Sequence, residues 1–311
     1  MHFLPLLTDL LEMHNLPYEA HITTEIMHGY SIAKDICQSQ PNCMGIIGIG
    51  GDGTFQEIAA GMVAAHDKTQ KIPTPLGIFA AGSGNDFVMT VEGGKAAAIA
   101  KFKKSDMKTA TQNFFEAVHQ RRTRAVDVIT ANDVAYLNIG NVGLDARIVH
   151  NAVDYKPKYG RYAYLAAVYK SIAQHKNLPL VIEANGKKLD RKYTLVAVCN
   201  GQYYGGGLRI SPEAKIDDGK ITVALCEALS RPKTMVIFPS LMIEQHTRLK
   251  AVSFMECEEL TITMPKGETL CLDGNLYTNY TVSPFQCDET PNSAEAKIRF
   301  KILPQILDVF V

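Results

Sequence analysis

Two short apolar runs, Met44–Ile49 and Pro75–Ala80, each pass directly into a glycine-rich loop. A continuous apolar run of that length reads as a strand buried on both faces, because helices cover both sides of a parallel sheet. Around these runs, residues 3–14, about 29–38 and 55–66 carry apolar side chains at helical spacing, while 18–24 alternates toward a strand. Helix and strand signals in alternation predict an α/β domain built on a parallel sheet.

After about Arg121 the pattern changes to short β-type runs, AVDVIT, VAYLNIG, TLVAVCN, KITVALCE, ELTITM and AKIRFKI, separated by turn signals at 184–187 and 217–220. Helical segments near 159–174 and 232–248 interrupt them. The expected plan is an α/β nucleotide-binding domain over 1–122 and a mostly β sandwich domain over 123–295. The segment 296–311 is expected to pack back on the first domain. A chain of 311 residues has room for two cores, and 46% hydrophobic against 21% charged residues excludes disorder over most of it.

Thirty-two basic and 32 acidic residues cancel, which removes the simplest argument for a nucleic-acid partner. The balance is uneven along the chain. Residues 121–176 hold 9 basic against 4 acidic side chains, so one stretch is locally positive. The seven cysteines are scattered, without a C-x-x-C pair, and read as reduced thiols. With no signal sequence and no apolar run long enough to span a bilayer, the expectation is a cytoplasmic protein.

The loop Gly50-Gly51-Asp52-Gly53-Thr54 stands between a buried strand and a helix. Glycines there let backbone N–H groups approach a phosphate, and the helix N-terminus adds partial positive charge. It is not a Walker A loop, since the Gly-Lys-Ser/Thr ending is missing. Asp52 would repel polyphosphate unless a divalent cation or a ribose lay between them; the plainer alternative is a tight turn with Asp52 as N-cap. A second loop, Ala81-Gly82-Ser83-Gly84-Asn85-Asp86-Phe87, also follows a buried strand. Two such loops at successive strand ends face one crevice.

G-G-D-G-T followed about 30 residues later by G-S-G-N-D-F resembles the diacylglycerol kinase catalytic domain, in its bacterial soluble lipid kinase form. Further landmarks keep the family's order: Ala125-Val126-Asp127, Asn138-Ile139-Gly140-Asn141, Gly205-Gly206-Gly207, Pro212–Lys220 and Leu272-Asp273-Gly274-Asn275. The resemblance implies ATP-dependent phosphorylation of a lipid hydroxyl in the cleft between an α/β domain and a β sandwich. It places ATP against Thr24, Gly50, Gly51, Asp52, Gly53, Thr54, Phe55 and Gln56, and against Gly82, Ser83 and Asn85 of the second loop. It assigns the catalytic Mg2+ to Asp52, Asp86 and Asp127, and the general base to Asp273. A structural Mg2+ site falls on Lys215, Asp218 and Lys220, the lysines through backbone carbonyls. From the residues alone, Asp273 reads first as an ordinary hairpin turn, and Asp127 could pair with a neighbouring arginine such as Arg124.

The chain departs from the family at several points. The usual opening strand ending in N-P-x-S-G is expected to be absent, since Met1 falls in what would be the following helix. Asn275 replaces an acid in the D-G-E motif, Ala80 a proline and Met89 an arginine. An asparagine bears no charge but still hydrogen-bonds. Tyr155–Lys170 mixes tyrosines and bases on an expected helix, which suits either packing on the sandwich or a peripheral contact at the inner face of the membrane. The partners expected are a lipid substrate and a membrane surface, with a homodimer left open. An NAD kinase-like activity and a weakened nucleotide- or lipid-binding module are the alternative readings.

Overall fold

The computed structural model describes residues 4–101, 107–149, 151, 163–278 and 294–311. Its first half contains α1 (Leu4–Met13), α2 (His28–Ser39), β1 (Ile46–Gly50), α3 (Asp52–Ala65), β2 (Leu76–Ala80), α4 (Asp86–Val91), α5 (Lys95–Lys101) and α6 (Met107–His119). β1 and β2 run parallel, Ile46 opposite Leu76 through Gly50 opposite Ala80. The register brings both glycine loops out at the same edge. Leu76 and Phe79 of β2 and Phe55, Ala59, Met62 and Val63 of α3 are fully or almost fully buried. Truncating Phe55 to alanine would cost roughly 3–5 kcal/mol.

The second half is β-rich: β3 (Thr123–Ala131), β4 (Val134–Tyr136), β5 (Ile139–Gly143), α7 (Ala163–Gln174), β6 (Leu178–Ala184), β7 (Lys187–Cys199), β8 (Tyr203–Tyr204), β9 (Leu208–Arg209), β10 (Ile221–Glu227), α8 (Arg231–Met242), β11 (Val252–Cys257), β12 (Glu259–Pro265), β13 (Thr269–Leu272), β14 (Asn275–Thr278) and β15 (Glu295–Phe310). The alternation of inward apolar residues, as in the Leu178–Ala184 strand, is what a half-buried antiparallel strand requires. Tyr136, Tyr193, Ile182, Ile262, Ile298 and Phe300 fill the interior of this β domain.

The long strand β15 ties the halves together. Residues 295–301 pair antiparallel with β12, 300–303 and 307–310 pair with β3, and Val309 reaches Leu76 of the parallel sheet. A register shift between Leu303 and Leu307, with Gln305 at φ 46°, lets one strand serve both.

Three expectations are corrected. Residues 18–24 form no strand: no strand among the described residues pairs with them, and Tyr18 and Ile22 are left exposed, so alternation alone had no sheet to join. VAYLNIG is not one strand but two, broken at Leu137-Asn138. The helix over 55–66 starts earlier, at Asp52. Of the expected tyrosine-rich stretch, residues 152–162 lie outside the described residues. No helix among the described residues is long and apolar enough to cross a membrane.

Candidate active site

The two glycine loops touch. Ala81 N donates to Gly50 O at 2.7 Å, and a Cβ on Gly82 would stand 2.4 Å from the Gly51 Cα. Glycine at 82 is therefore a packing requirement. No side chain caps the N-terminus of α3, where Gly51 is the N-cap. Asn85 adopts the left-handed conformation, φ 56°, and holds its loop closed: its Oδ1 accepts from Gly82 N and its Nδ2 donates to Gly82 O.

Asp52 does not cap its own helix. Its Oδ1 accepts from Phe87 N at 3.0 Å, in the first turn of α4, so the acid of one loop caps the helix of the other. Asp86 in turn accepts from Gly206 N at 3.0 Å and Gly207 N at 2.6 Å. Both acids are pinned by backbone N–H groups. A Cβ on Gly84 would lie 3.0 Å from Asp52 Oδ2 and 3.0 Å from Asp86 Oδ2, so these two oxygens face one gap that only glycine leaves open. Burial raises the Asp52 carboxyl above its ordinary pKa, against the N–H bonds that lower it. Burial also pushes Asp86 up to about 6, with the charge of Asp52 adding to it, while Gly206, Gly207 and Lys95 pull the other way. Two oxygens of partly compensated acids at one gap fit a hard divalent cation.

Asp273 is built from the sandwich side. It is 7% exposed and sits at φ 46° in the turn between β13 and β14. Leu137 N donates to its Oδ2 at 2.7 Å, Ile139 N to its Oδ1 at 2.8 Å, and Asn138 N to both. The break between β4 and β5 thus supplies a nest of N–H groups for one carboxylate. Burial pushes Asp273 up to about 7, and Asp52 adds in the same direction, against the N–H bonds of Leu137, Ile139 and Asn138. Nothing in VAYLNIG announced this cradle; the N–H groups are backbone.

The structure does not place Asp127 with Asp52 and Asp86 as expected. Asp127 is fully buried, with Oδ1 accepting from Gln305 N at 2.7 Å and Oδ2 from Gly219 N at 2.7 Å. Burial raises its pKa, and the neighbouring charges that raise it further are Asp218 and Asp217. It therefore belongs with the turn that carries Lys215, Asp218 and Lys220. Within that turn Lys220 N donates to Asp218 Oδ1 at 3.1 Å, and Lys220 Nζ pairs with Glu256. Arg124 bonds Asp217, not Asp127. Among the described residues no three His, Cys, Asp or Glu side chains gather as a metal-ligating group.

Two residues of the expected ATP set serve the core instead. Phe55 is fully buried, and Gln56 is fully buried with its Nε2 on Ala135 O. Their side chains cannot face a nucleotide because they hold α3 to the rest of the fold. Gln56 Oε1 also accepts from Asn275 Nδ2 at 2.7 Å and Tyr277 OH at 3.2 Å, so Asn275 joins the hairpin to the glycine loop. Thr24 is exposed beside His28, ahead of α2. Ser83 is exposed at the loop tip. Lys95, unanticipated from the sequence, reaches Gly206 O with its Nζ and is the cation that lowers Asp86.

The profile of the diacylglycerol kinase catalytic domain matches residues 2–131. That of the YegS C-terminal NAD kinase beta sandwich-like domain matches residues 138–311, more than half of the chain. The chain belongs to the diacylglycerol kinase and YegS-like lipid kinase family. A curated relative named diacylglycerol kinase, from Mycobacterium tuberculosis, is 26% identical over 231 residues, 73% of this chain and 68% of that protein. A protein of Shewanella frigidimarina named "Probable lipid kinase YegS-like" is 22% identical over 83% of this chain and 73% of its own length. Among solved structures, a diacylglycerol kinase from Bacillus anthracis superposes with a TM-score of 0.67 at 18% identity, covering 99% of this chain and 88% of that one. The two matched domains are an α/β domain followed by a β sandwich-like domain, and here β15 links their strands into one 13-stranded sheet beside the small β8–β9 pair.

Proposed function

We propose that this member of the lipid kinase family transfers the γ-phosphoryl group of ATP to a hydroxyl of diacylglycerol or a closely related lipid, in the presence of Mg2+. One observation carries the reading: two touching glycine loops hold Asp52 and Asp86 at one gap, and Asp273, whose proton affinity Asp52 raises, comes in from the other domain. Phosphoryl transfer needs little else from a protein than positioned oxygens, neutralised charge and an acceptor for the hydroxyl proton.

The residues divide that work. The loops 50–54 and 81–85 offer backbone N–H groups to the phosphates at the α3 N-terminus. Asp52 and Asp86 would hold the magnesium ion, which when bound would neutralise charge on the transferred phosphate. Lys95 stands on the Asp86 side as a further cation. Asp273, once deprotonated, accepts the hydroxyl proton at a carboxylate oxygen; the N–H nest from Leu137, Asn138 and Ile139 holds that oxygen in one orientation.

Incubation of the chain with radiolabelled ATP, Mg2+ and diacylglycerol in mixed micelles tests this. Label is expected in a phosphorylated lipid. Label recovered only in NADP after addition of NAD, or no transfer to any lipid offered, would overturn the proposal.

A further inference from the structure

Helix α8, RPKTMVIFPSLM, is apolar on two opposite faces. At about 100° per residue, Thr234, Ile237, Phe238 and Leu241 point one way. These four line a small apolar cavity of about 80 Å3 whose other walls include Leu144, Leu225 and Val252. The cavity means that the helix does not rest on a close-packed floor. Two buried polar atoms on its wall residues, Asp145 Oδ2 and His246 Nδ1, have no hydrogen-bond partner among the described residues.

The opposite face is the unusual one. Pro232, Met235, Val236, Pro239 and Met242 fall within an arc of about 120°, and all five, with Ile243 just past the helix end, are exposed. Val236 is 79% exposed, Ile243 68% and Met242 67%. Single exposed apolar residues are ordinary, but a contiguous stripe along one helix marks a surface that is covered in use. Charge identifies the cover. No Asp or Glu occurs from 228 to 243, while Arg231 and Lys233 are exposed at the start of the helix and Arg248 and Lys250 just beyond its end. The neighbouring acids Glu227 and Glu244 are already paired, with Arg191 and Arg209. α7, which packs beside α8, adds an exposed tyrosine, Tyr169. An apolar stripe rimmed by bases, with an amphipathic aromatic near by, matches the headgroup boundary of an anionic bilayer.

We infer that α8 is the membrane-docking element of this chain, lying in the interface of an anionic bilayer with its Val236–Met242 face against the lipid and the apolar cavity directly behind it. Pro239 sits in the middle of that face and removes one backbone hydrogen bond from the helix, so the wall between bilayer and cavity is a deformable one. The inference gives the lipid-kinase reading its route to substrate and rests on that reading for its purpose alone. Docking itself involves no phosphoryl transfer.

The chain contains no tryptophan, so Val236→Trp creates a lone emission probe on the proposed face. Ile99→Trp, at a site 54% exposed on α5, is the control. With vesicles of phosphatidylcholine and phosphatidylglycerol, the Val236→Trp emission is expected to shift to the blue and to be quenched by brominated acyl chains, while the Ile99→Trp emission is unmoved. The double variant Val236→Asp, Met242→Asp is expected to bind these vesicles roughly tenfold more weakly or worse, with an unchanged thermal melt. It should keep its transfer to diacylglycerol dispersed in detergent, so a failed kinase assay and a failed docking surface are told apart. Solvent-like emission from residue 236 while the protein sediments with vesicles would overturn the inference. So would a blue shift that appears without vesicles as protein concentration rises, which would make this face a contact between copies.

Discussion

Asp52 and Asp86 sit at two glycine loops, and Asp127 sits in β3 beside the 217–219 turn; the two sets are handled in opposite ways. Asp52 gives Oδ1 to Phe87 N and turns Oδ2 toward the space at Gly84, while Asp86 accepts from Gly206 and Gly207 N on both oxygens and still borders that space with Oδ2. Asp127 has both oxygens taken by N–H groups, and its neighbour Asp217 is neutralised by Arg124. The first cluster turns carboxylate oxygens toward one gap; the second uses them to join β3, the 217–219 turn and β15. An acid is a candidate ligand where the fold turns an oxygen toward a gap.

The largest expected effect lies at Asp273. Asp273→Asn should lower phosphoryl transfer by about 10²–10⁴, the range for loss of a general base, with ATP binding retained. Unchanged turnover would remove Asp273 as the base. Burial raises the folded pKa of Asp273, and that has two opposite consequences. The base form appears as pH rises through about 7, so log kcat/KM should climb with unit slope below that pH and level off above it. Stability has the reverse sign: favouring the neutral carboxyl stabilises the fold below the ordinary carboxylate pKa, and this is lost as pH rises through about 7. Thermal melts of wild type and Asp273→Asn should diverge over that interval.

The comparison itself is tested by Asp52→Asn against Asp127→Asn. Asp52→Asn should cost on the order of a hundredfold in transfer with a nearly unchanged melt. Asp127→Asn should cost about 1–3 kcal/mol of stability, because an amide nitrogen cannot accept from Gly219 or Gln305 N–H, with transfer by the folded fraction largely kept. Denaturant titration beside the kinase assay separates the two, and an Asp127 variant that is stable but inactive would erase the distinction.

Asn275→Glu restores the family's acid and is expected to harm the chain. The amide donates to Gln56 Oε1 and Gly53 O, and a carboxylate there would face two acceptors. A loss of about 1–3 kcal/mol, measured by denaturant unfolding, should accompany no gain in turnover. Arg124→Ala should matter least, about 1 kcal/mol or less, since its pair with Asp217 is partly exposed.

Much of this was legible in the chain. The glycine loops, the buried strands before them and the order of landmarks are local patterns, and β1, β2 and α3 follow from them. The 18–24 segment was misread because alternation describes a face, not a partner. The family resemblance places Phe55 and Gln56 against ATP, whereas the first turn of α3 directs their side chains into the core. The Asp273 nest was invisible, because its donors are the main-chain N–H groups of a strand break that no side chain encodes.

The sequence by itself determined the two-domain plan, the family and the loops that must lie at strand ends, because apolar periodicity and glycine spacing act over a few residues at a time. Only the tertiary structure decided which acids share a gap, that Asp127 belongs to a different cluster, and that Asn275 ties the hairpin to α3. Those outcomes depend on hydrogen bonds between residues more than thirty positions apart, whose distances are set by the packing of the whole sheet and of the strand β15 that runs through both halves.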